Sequence, residues 1–176
     1  MSENLLTAEI MKKALHKLDQ LLTQKITLIV GGGGAMILAH KFPLATTDID
    51  AIPQGIEVEE LNSYIKSVAL ELGLPADWLN PYFSTFSYVL PQDYKNRLTT
   101  VFQGQHIQAR ALGKEDMLIM KCFAHRKKDI AHARALIKAK ANTNFVEKHI
   151  LSLQDKGHTN AKEAIDFLDD LLEEPS

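Results

Sequence analysis

Several features that would assign the chain to a particular class are missing from the sequence. It contains one cysteine, which excludes an intrachain disulfide framework. That residue, Cys122, falls in an apolar run of helical character, so we expect a buried small side chain and not a nucleophile. No apolar stretch reaches membrane-spanning length, and the N-terminus lacks a signal-peptide pattern. These absences predict a cytoplasmic protein that does not associate with membranes.

Charge of neither sign is in excess. The 176 residues include 20 Lys and Arg against 22 Asp and Glu, for a formal net charge of −2. No overall basic field therefore indicates nucleic-acid binding, which would need a local patch. At 45% hydrophobic and 24% charged residues, the composition is that of an ordinary globular protein. The length suits one domain with a small helical extension.

Three common site motifs are also missing. No Gly-Lys-Ser or Gly-Lys-Thr follows the glycine run, which argues against a P-loop ATPase. Met36 stands where a dinucleotide fingerprint would place its third glycine. His125 and His132 are seven residues apart and do not form the helical i, i+4 pair typical of zinc sites.

The strongest functional signals lie together in the first third of the chain. A β-branched apolar run predicts a strand over Ile26–Val30, which leads into the four glycines Gly31–Gly34. A short helix is predicted over residues 35–40. A second strand then carries Asp48 and Asp50.

The two aspartates predict a metal site. Alternate side chains of a strand share a face, so Asp48 and Asp50 should point the same way while Ile49 and Ala51 enter the core. Two carboxylates held this close repel each other unless a cation lies between them. Mg²⁺ or Mn²⁺, bridging both carboxylates to a bound triphosphate, fits this donor set.

The glycines and the neighbouring threonines predict phosphate contacts. The backbone of Gly32, Gly33 and Gly34 can approach a ligand closely, with N–H groups facing phosphate oxygens. Thr47, like Thr46, can hydrogen-bond a phosphate or a carboxylate, or simply end a loop. The alternative interpretation is a tight glycine turn followed by a surface pair of aspartates.

The remaining periodicity predicts a mixed α/β (α+β) fold, with a mixed sheet flanked by helices and a C-terminal helical segment. We expect a core over residues 1–112 and a helical part over 113–176, packed as one unit. The predicted helices cover 8–22 and 57–72 and then start near 113, 130, 144 and 160. The predicted later strands cover 84–90, 98–102 and 106–111.

The last helices bring a cluster of cations. Lys121 interrupts an otherwise apolar helical run, so its side chain either extends to solvent or enters a cleft. His125-Arg126-Lys127-Lys128 follows and is succeeded directly by Asp129, which is able to orient one of the cations by a salt bridge. Taken alone, this cluster is typical of a solvated loop between helices.

The ordered motifs resemble the nucleotidyltransferase fold of the DNA polymerase β type. That family places a glycine pair before an Asp-x-Asp strand, and here thirteen residues separate Gly34 from Asp48. The chain is most similar to small bacterial nucleotidyltransferases, including the AbiEii-like toxins of toxin–antitoxin modules. The further matching motifs are Ala45–Asp50, Trp78-Leu79-Asn80, Met117–Lys121 and Arg126–Asp129.

The resemblance implies transfer of a nucleotidyl group from a nucleoside triphosphate to an acceptor hydroxyl on RNA, protein or a small molecule. Asp48 and Asp50 would hold the metal, and Lys121 would join them as a catalytic residue. The nucleotide would contact the residues Gly32, Gly33, Gly34, Thr47, Arg126, Lys128 and Asp129. An antitoxin-like partner is a further implication.

One departure from the family pattern leaves alternatives open. Active members carry a third carboxylate on a later strand, and the matching strand here presents Gln108 and Arg110 with no acid. The protein would then use one metal, recruit an acid from elsewhere, or be a catalytically degenerate nucleotide-binding or interaction protein. A structural or antitoxin-like partner with merely exposed aspartates is the third hypothesis.

Overall fold

A computed structural model describes residues 5–42, 45–82 and 87–174. The chain divides into two compact units. The first comprises Met1–Thr85 and Leu98–Leu112, and the second comprises Phe86–Arg97 and Gly113–Ser176. Residues 86–97 therefore belong with the C-terminal helices.

The first unit is a five-stranded mixed sheet with three helices in its described part. The strand order is β3-β2-β1-β5-β4. Strand β1 runs antiparallel to β2 and parallel to β5, while β3 is parallel to β2 and β4 is antiparallel to β5. In chain order the elements are α1 (Ala8–Leu21), β1 (Ile26–Gly31), α2 (Gly32–Leu38), β2 (Ile49–Gln54), α3 (Val58–Leu72), β3 (Leu79–Asn80), β4 (Thr99–Gln103) and β5 (Ile107–Ala111).

Local sequence signals explain where the two long helices begin and end. The Thr7 hydroxyl accepts a hydrogen bond from the Ile10 N–H at 3.3 Å and caps α1 as predicted. Gly73 ends α3 with a φ of 67°, a left-handed conformation that favours glycine. Trp78 is fully buried, and its indole N–H donates to the Ile65 carbonyl at 2.9 Å. The mixed α/β fold predicted from the sequence is confirmed.

The two faces of the sheet differ in polarity. Residues paired across neighbouring strands share a face, so the pairings place polar side chains of four strands on one side. The opposite side carries residues that are fully buried, such as Leu28, Ala51 and Ala109. We call the first side the polar face and define it by Thr27, Asp50, Gln54, Asn80, Gln108 and Arg110.

A buried carboxylate anchors the hairpin between β4 and β5. Asp19 of α1 accepts backbone N–H donors from residues 105, 106 and 107 at 3.1, 2.8 and 2.7 Å. A Cβ on Gly104 would collide with the same carboxylate, so glycine is required for this close approach. The hairpin is therefore fixed to α1 through one side chain.

The second unit contains four described helices, α4 (Lys114–Ala124), α5 (Asp129–Lys138), α6 (Thr143–Asp155) and α7 (Ala161–Glu173). Helix α4 packs against the other three, which agrees with burial along nearly its whole length. Asp116 in its first turn is fully buried and accepts two hydrogen bonds from Arg97, at 2.8 and 2.7 Å.

Cys122 is buried as predicted, and burial raises its pKa to about 12, which keeps the thiol protonated.

Three local predictions need correction. The strand predicted over residues 84–90 is wrong for residues 87–89, which form a 3-10 turn, and its start lies outside the described residues. The sequence Pro53-Gln54-Gly55 predicts a turn, but Pro53 and Gln54 belong to β2, since both still pair with β1. Asn144 and Glu147 predict a capping box, but α6 is capped by Asn142, whose side chain accepts from the Phe145 N–H.

No helix in the described part of the chain has both the length and the apolar character needed to span a membrane.

Replacing Asp19 should destabilise the protein and make its unfolding free energy less sensitive to acid pH. Burial opposes ionisation of Asp19, but the backbone donors of residues 105–107 outweigh it and hold the pKa of the carboxyl below its ordinary value. A lowered pKa in the folded state adds stability above the ordinary carboxyl range, and that stability is lost as pH falls through the folded-state pKa. Asp19→Asn should cost about 1.5–3 kcal/mol at neutral pH.

Urea unfolding at pH 7 and at stepwise lower pH measures this effect. The difference in unfolding free energy between wild type and D19N should shrink as the pH approaches 3. D170N, which changes an exposed acid on α7, serves as the control and should unfold like wild type. A pH-independent difference between D19N and wild type would contradict the assignment.

Candidate active site

The candidate site forms where β1 ends, α2 begins and β2 passes beside them. Gly31 is the last residue of β1 and lies directly opposite Asp50 of β2. Gly32 follows with a φ of 57° and opens α2, a helix of only seven residues. The predicted short helix therefore starts earlier than residue 35 and includes three of the four glycines.

The carboxylate of Asp50 packs against the glycine turn. A Cβ built on Gly32 would collide with Asp50 Oδ2, so this approach is possible only for glycine. On the other side, Asn80 Nδ2 donates to Asp50 Oδ1 at 3.2 Å. Asn80 is itself oriented, since its Oδ1 accepts the Tyr82 N–H at 3.0 Å. The Asp50 side chain is thus positioned from two sides.

Asn80 was not among the site residues predicted from the sequence. In the sequence it was visible only within the Trp78-Leu79-Asn80 motif, which carried the family resemblance but no role for its residues. In the structure Leu79 and Asn80 form β3, with Asn80 paired to Asp50 in the register. A two-residue strand has too little periodicity to be recognised from sequence.

The aspartate strand shows the alternation that its sequence predicted. Ile49 and Ala51 are fully buried, whereas Asp48 and Asp50 are partly exposed. Asp48 lies immediately before β2, and Thr47 is exposed in a bend. Asp50 therefore offers its carboxylate beside the end of β1, and Asp48 precedes it by two residues.

The other two glycines of the helix start have packing roles. A Cβ on Gly33 would lie 2.8 Å from Thr46 Oγ1, and one on Gly34 would lie 3.3 Å from Ile49 Cγ2. Thr46 is held in place by backbone hydrogen bonds with Leu6 at 2.7 and 3.2 Å. The close passage of the Thr46–Ile49 segment thus accounts for these glycines without a ligand. Their predicted contact with phosphate remains a prediction.

The two aspartates are the kind of ligand that a hard divalent cation takes when the protein supplies only a few of its ligands. Within the described ranges, no group of three or more His, Cys, Asp or Glu side chains is placed to hold a metal ion. Mg²⁺ usually keeps several waters and takes one or two carboxylates plus substrate phosphates. Asp48 and Asp50 supply two carboxylates, and a metal ion held by them remains a prediction.

A pocket of about 530 Å³ lies at the other end of the same sheet. Sequence reasoning did not find it, because its residues come from four separate segments. Three polar-face residues, Thr27, Gln54 and Gln108, reach it, and Asp50 is not part of its lining. The remaining lining residues are Lys25, Ile26, Gly55, Gln103, Gly104, Gln105 and His106.

The second unit holds a compact charge cluster made of Lys121, Arg126 and Asp129. Lys121 is 7% exposed, and its Nζ lies 3.0 Å from Asp129 Oδ1. Arg126 Nε donates to Asp129 Oδ2 at 2.7 Å, while Lys128 is exposed at the start of α5. Burial works against ionisation of Asp129, but these two cations hold its pKa below the usual range.

The structure thus brings together some of the predicted site residues within each unit. In the first unit, Gly32 contacts Asp50, and Gly33 contacts the residue preceding Thr47. In the second unit, Lys121, Arg126 and Asp129 are bonded to one another. The catalytic and nucleotide-binding roles of all these residues remain predictions.

Comparison with known protein families identifies the class. Residues 8–167 match the family described as "Nucleotidyltransferase of unknown function (DUF6036)". The match spans most of the chain, so the protein belongs to this family. No curated protein and no solved structure matches the chain.

A methyl group on Gly32 should displace the Asp50 carboxylate. Gly32→Ala introduces both a left-handed alanine and a collision with Asp50 Oδ2. Gly73→Ala is the matched control, because Gly73 has a similar φ of 67° and no heavy atom near its Cβ position. We expect G73A to cost about 1 kcal/mol of unfolding free energy and G32A clearly more.

Thermal unfolding of both variants measures the difference. Equal losses of stability in G32A and G73A would show that Asp50 does not depend on the glycine turn.

Removing the Asp129 carboxylate should leave Lys121 buried without its counter-charge. Asp129→Asn is therefore expected to cost about 3–5 kcal/mol. The double variant K121M/D129L replaces the pair by apolar groups of similar volume and should recover most of that loss. Urea unfolding of wild type, D129N and K121M/D129L provides the measurement. A double variant as unstable as D129N would refute a balanced buried pair.

Proposed function

We propose that the protein is a Mg²⁺- or Mn²⁺-dependent nucleotidyltransferase that moves a nucleotidyl group from a nucleoside triphosphate to an acceptor hydroxyl. The observation that carries this proposal is the packing of the Asp50 carboxylate on the Gly32 turn. Asn80 orients the carboxylate, and Asp48 precedes it by two residues. Membership of a nucleotidyltransferase family supports the same conclusion.

Each residue of the first unit has a distinct role in this proposal. Asp48 and Asp50 hold the cation, and the backbone of Gly32, Gly33 and Gly34 approaches the phosphates with Thr47 beside them. The bound cation would neutralise charge on the phosphate oxygens during transfer. Asn80 restrains Asp50, so the Asp50 side chain would lose less conformational freedom when a cation and a nucleotide bind.

The proposed reaction is a displacement at the α-phosphorus. The acceptor hydroxyl loses its proton to water, and its oxygen forms a bond to that phosphorus. The bond from the phosphorus to the oxygen that bridges the α- and β-phosphates breaks, and pyrophosphate leaves. The acceptor is a hydroxyl of RNA, protein or a small molecule. Lys121, Arg126, Lys128 and Asp129 keep the roles that the family resemblance implies, with Asp129 orienting two of the cations.

The finer resemblance to AbiEii-like toxins belongs to the same proposal. It rests on the ordered motifs of the sequence and predicts an antitoxin-like partner. Induced expression of the protein in a bacterial host tests it: growth arrest that disappears in Asp50→Asn would support a toxin.

A second candidate function is a catalytically degenerate nucleotide-binding or interaction protein on the same fold. The observation that favours it is the composition of the polar face, where β5 presents Gln108 and Arg110 in the place matched to a third acid. Such a protein would bind nucleotide with metal but would not turn it over.

Substitution of the aspartates should abolish metal-dependent nucleotide binding. Calorimetric titrations with each of the four ribonucleoside triphosphates measure this binding. In the presence of Mg²⁺ the wild type should bind at least one of them, and EDTA should abolish the binding. Asp48→Asn and Asp50→Asn should each weaken that binding at least about tenfold, since a charge-assisted contact contributes roughly 1.5–3 kcal/mol. D77N, which changes an exposed acid outside the site, should bind like wild type.

A transfer assay separates the two candidate functions. Labelled triphosphates are incubated with wild type or D50N and with lysate fractions of RNA, protein and small molecules. Label transferred by wild type alone supports the enzyme, whereas metal-dependent binding without transfer supports the degenerate protein. Binding that is equal in wild type, D48N and D50N would overturn both.

A further inference from the structure

Arg110 is the cation of the polar face. It lies on β5 and pairs in the register with Ile29 of β1, two residues before Gly31. Asp50 is opposite Gly31 on the far side of β1. The Arg110 side chain therefore projects from the same side of the sheet as the Asp50 carboxylate.

One donor of the Arg110 guanidinium has no acceptor in the described part of the chain. Its Nε atom is buried and has no hydrogen-bond partner among the residues that the structure describes. The ion pairs found in the same ranges do not include it either. Since an arginine stays protonated, burying one of its donors without an acceptor costs about 1–3 kcal/mol or more. The fold therefore retains a donor that an anion would satisfy.

The strand beside Arg110 is irregular at this point. Thr100 of β4 pairs with Arg110, and the register shifts between Thr100 and Phe102. A β-bulge of this kind changes the local twist and re-aims neighbouring side chains, and such bulges are common next to functional sites.

The separation of Arg110 and Asp50 suits a bound polyphosphate. Their α-carbons are two strands and two residues apart, which corresponds to about 12 Å across the sheet. The polar-face neighbours Thr27 and Gln108 are uncharged, so neither supplies a counter-charge to the guanidinium. A planar guanidinium recognises phosphate by two parallel hydrogen bonds, which a lysine cannot reproduce.

We propose that Arg110 forms a phosphate subsite on the polar face and binds the triphosphate of the nucleotide whose metal is held at Asp48 and Asp50. This inference rests on the proposed function. It assigns a phosphate-binding positive charge to a protein side chain on β5, and it makes Arg110 a residue that contacts substrate.

Three Arg110 variants and a polyphosphate probe test the subsite. Binding of inorganic tripolyphosphate in Mg²⁺, and of the triphosphate that wild type prefers, is measured by calorimetry. Arg110→Leu and Arg110→Gln should weaken both ligands by about 10- to 100-fold, as expected for loss of a charge-assisted contact. Arg110→Lys should restore part of the affinity. Arg134→Gln removes an exposed arginine of α5 and should leave both affinities unchanged.

Thermal stability without ligand separates a phosphate-binding arginine from a structural one. R110L removes a buried donor that has no partner, so its melting temperature should equal or exceed that of wild type. A lower melting temperature together with unchanged tripolyphosphate affinity would assign Arg110 a structural role and overturn the subsite.

The outcomes distinguish this inference from the proposed function. If D50N loses triphosphate binding while R110L and R110Q bind like wild type, the subsite alone is refuted. If wild type binds neither tripolyphosphate nor any nucleoside triphosphate in Mg²⁺, both proposals are refuted. Weakened binding in R110L and R110Q with intact stability supports the subsite.

Discussion

The candidate site depends on the contact between a carboxylate and a residue without a side chain. Asp50 lies so close to the Cα of Gly32 that a Cβ there would overlap its Oδ2. The contact exists because β1 ends at Gly31, opposite Asp50, and the chain then turns into α2 with a left-handed residue. The missing methyl group thus sets the distance between the acidic strand and the glycine turn.

In the first unit, the two faces of the sheet carry side chains of different polarity. Small and branched apolar side chains fill the buried side of the sheet, while Asp50, Asn80, Gln108 and Arg110 share the other. Because hydrophobic burial drives folding, the buried side supplies the stability that lets the polar face hold charged groups. The acid on one strand and the arginine two strands away are the residues to which we assign the proposed metal and polyphosphate.

Much of the fold and part of the site were predictable because their signals are local. The Thr7 cap, the Gly73 terminus and the alternation around Asp50 each follow from a few adjacent residues. The strand predicted over residues 84–90 is wrong at residues 87–89, which form a 3-10 turn. An alternating pattern of apolar residues also occurs in a turn that packs against a helix. His149 provides such a contact through its hydrogen bond to the Val89 carbonyl at 2.7 Å.

By itself the sequence determined the mixed α/β class, the glycine run before an Asp-x-Asp strand and the absence of an acid on the polar side of β5. Only the tertiary structure decided that Asn80 orients Asp50 and that neighbouring side chains leave no room for a Cβ at Gly32 and Gly33. It also decided that a buried donor of Arg110 has no acceptor among the described residues. The physical reason is the register between strands distant in sequence. Which side chains become neighbours across a sheet depends on pairing, and no pattern within one strand encodes it.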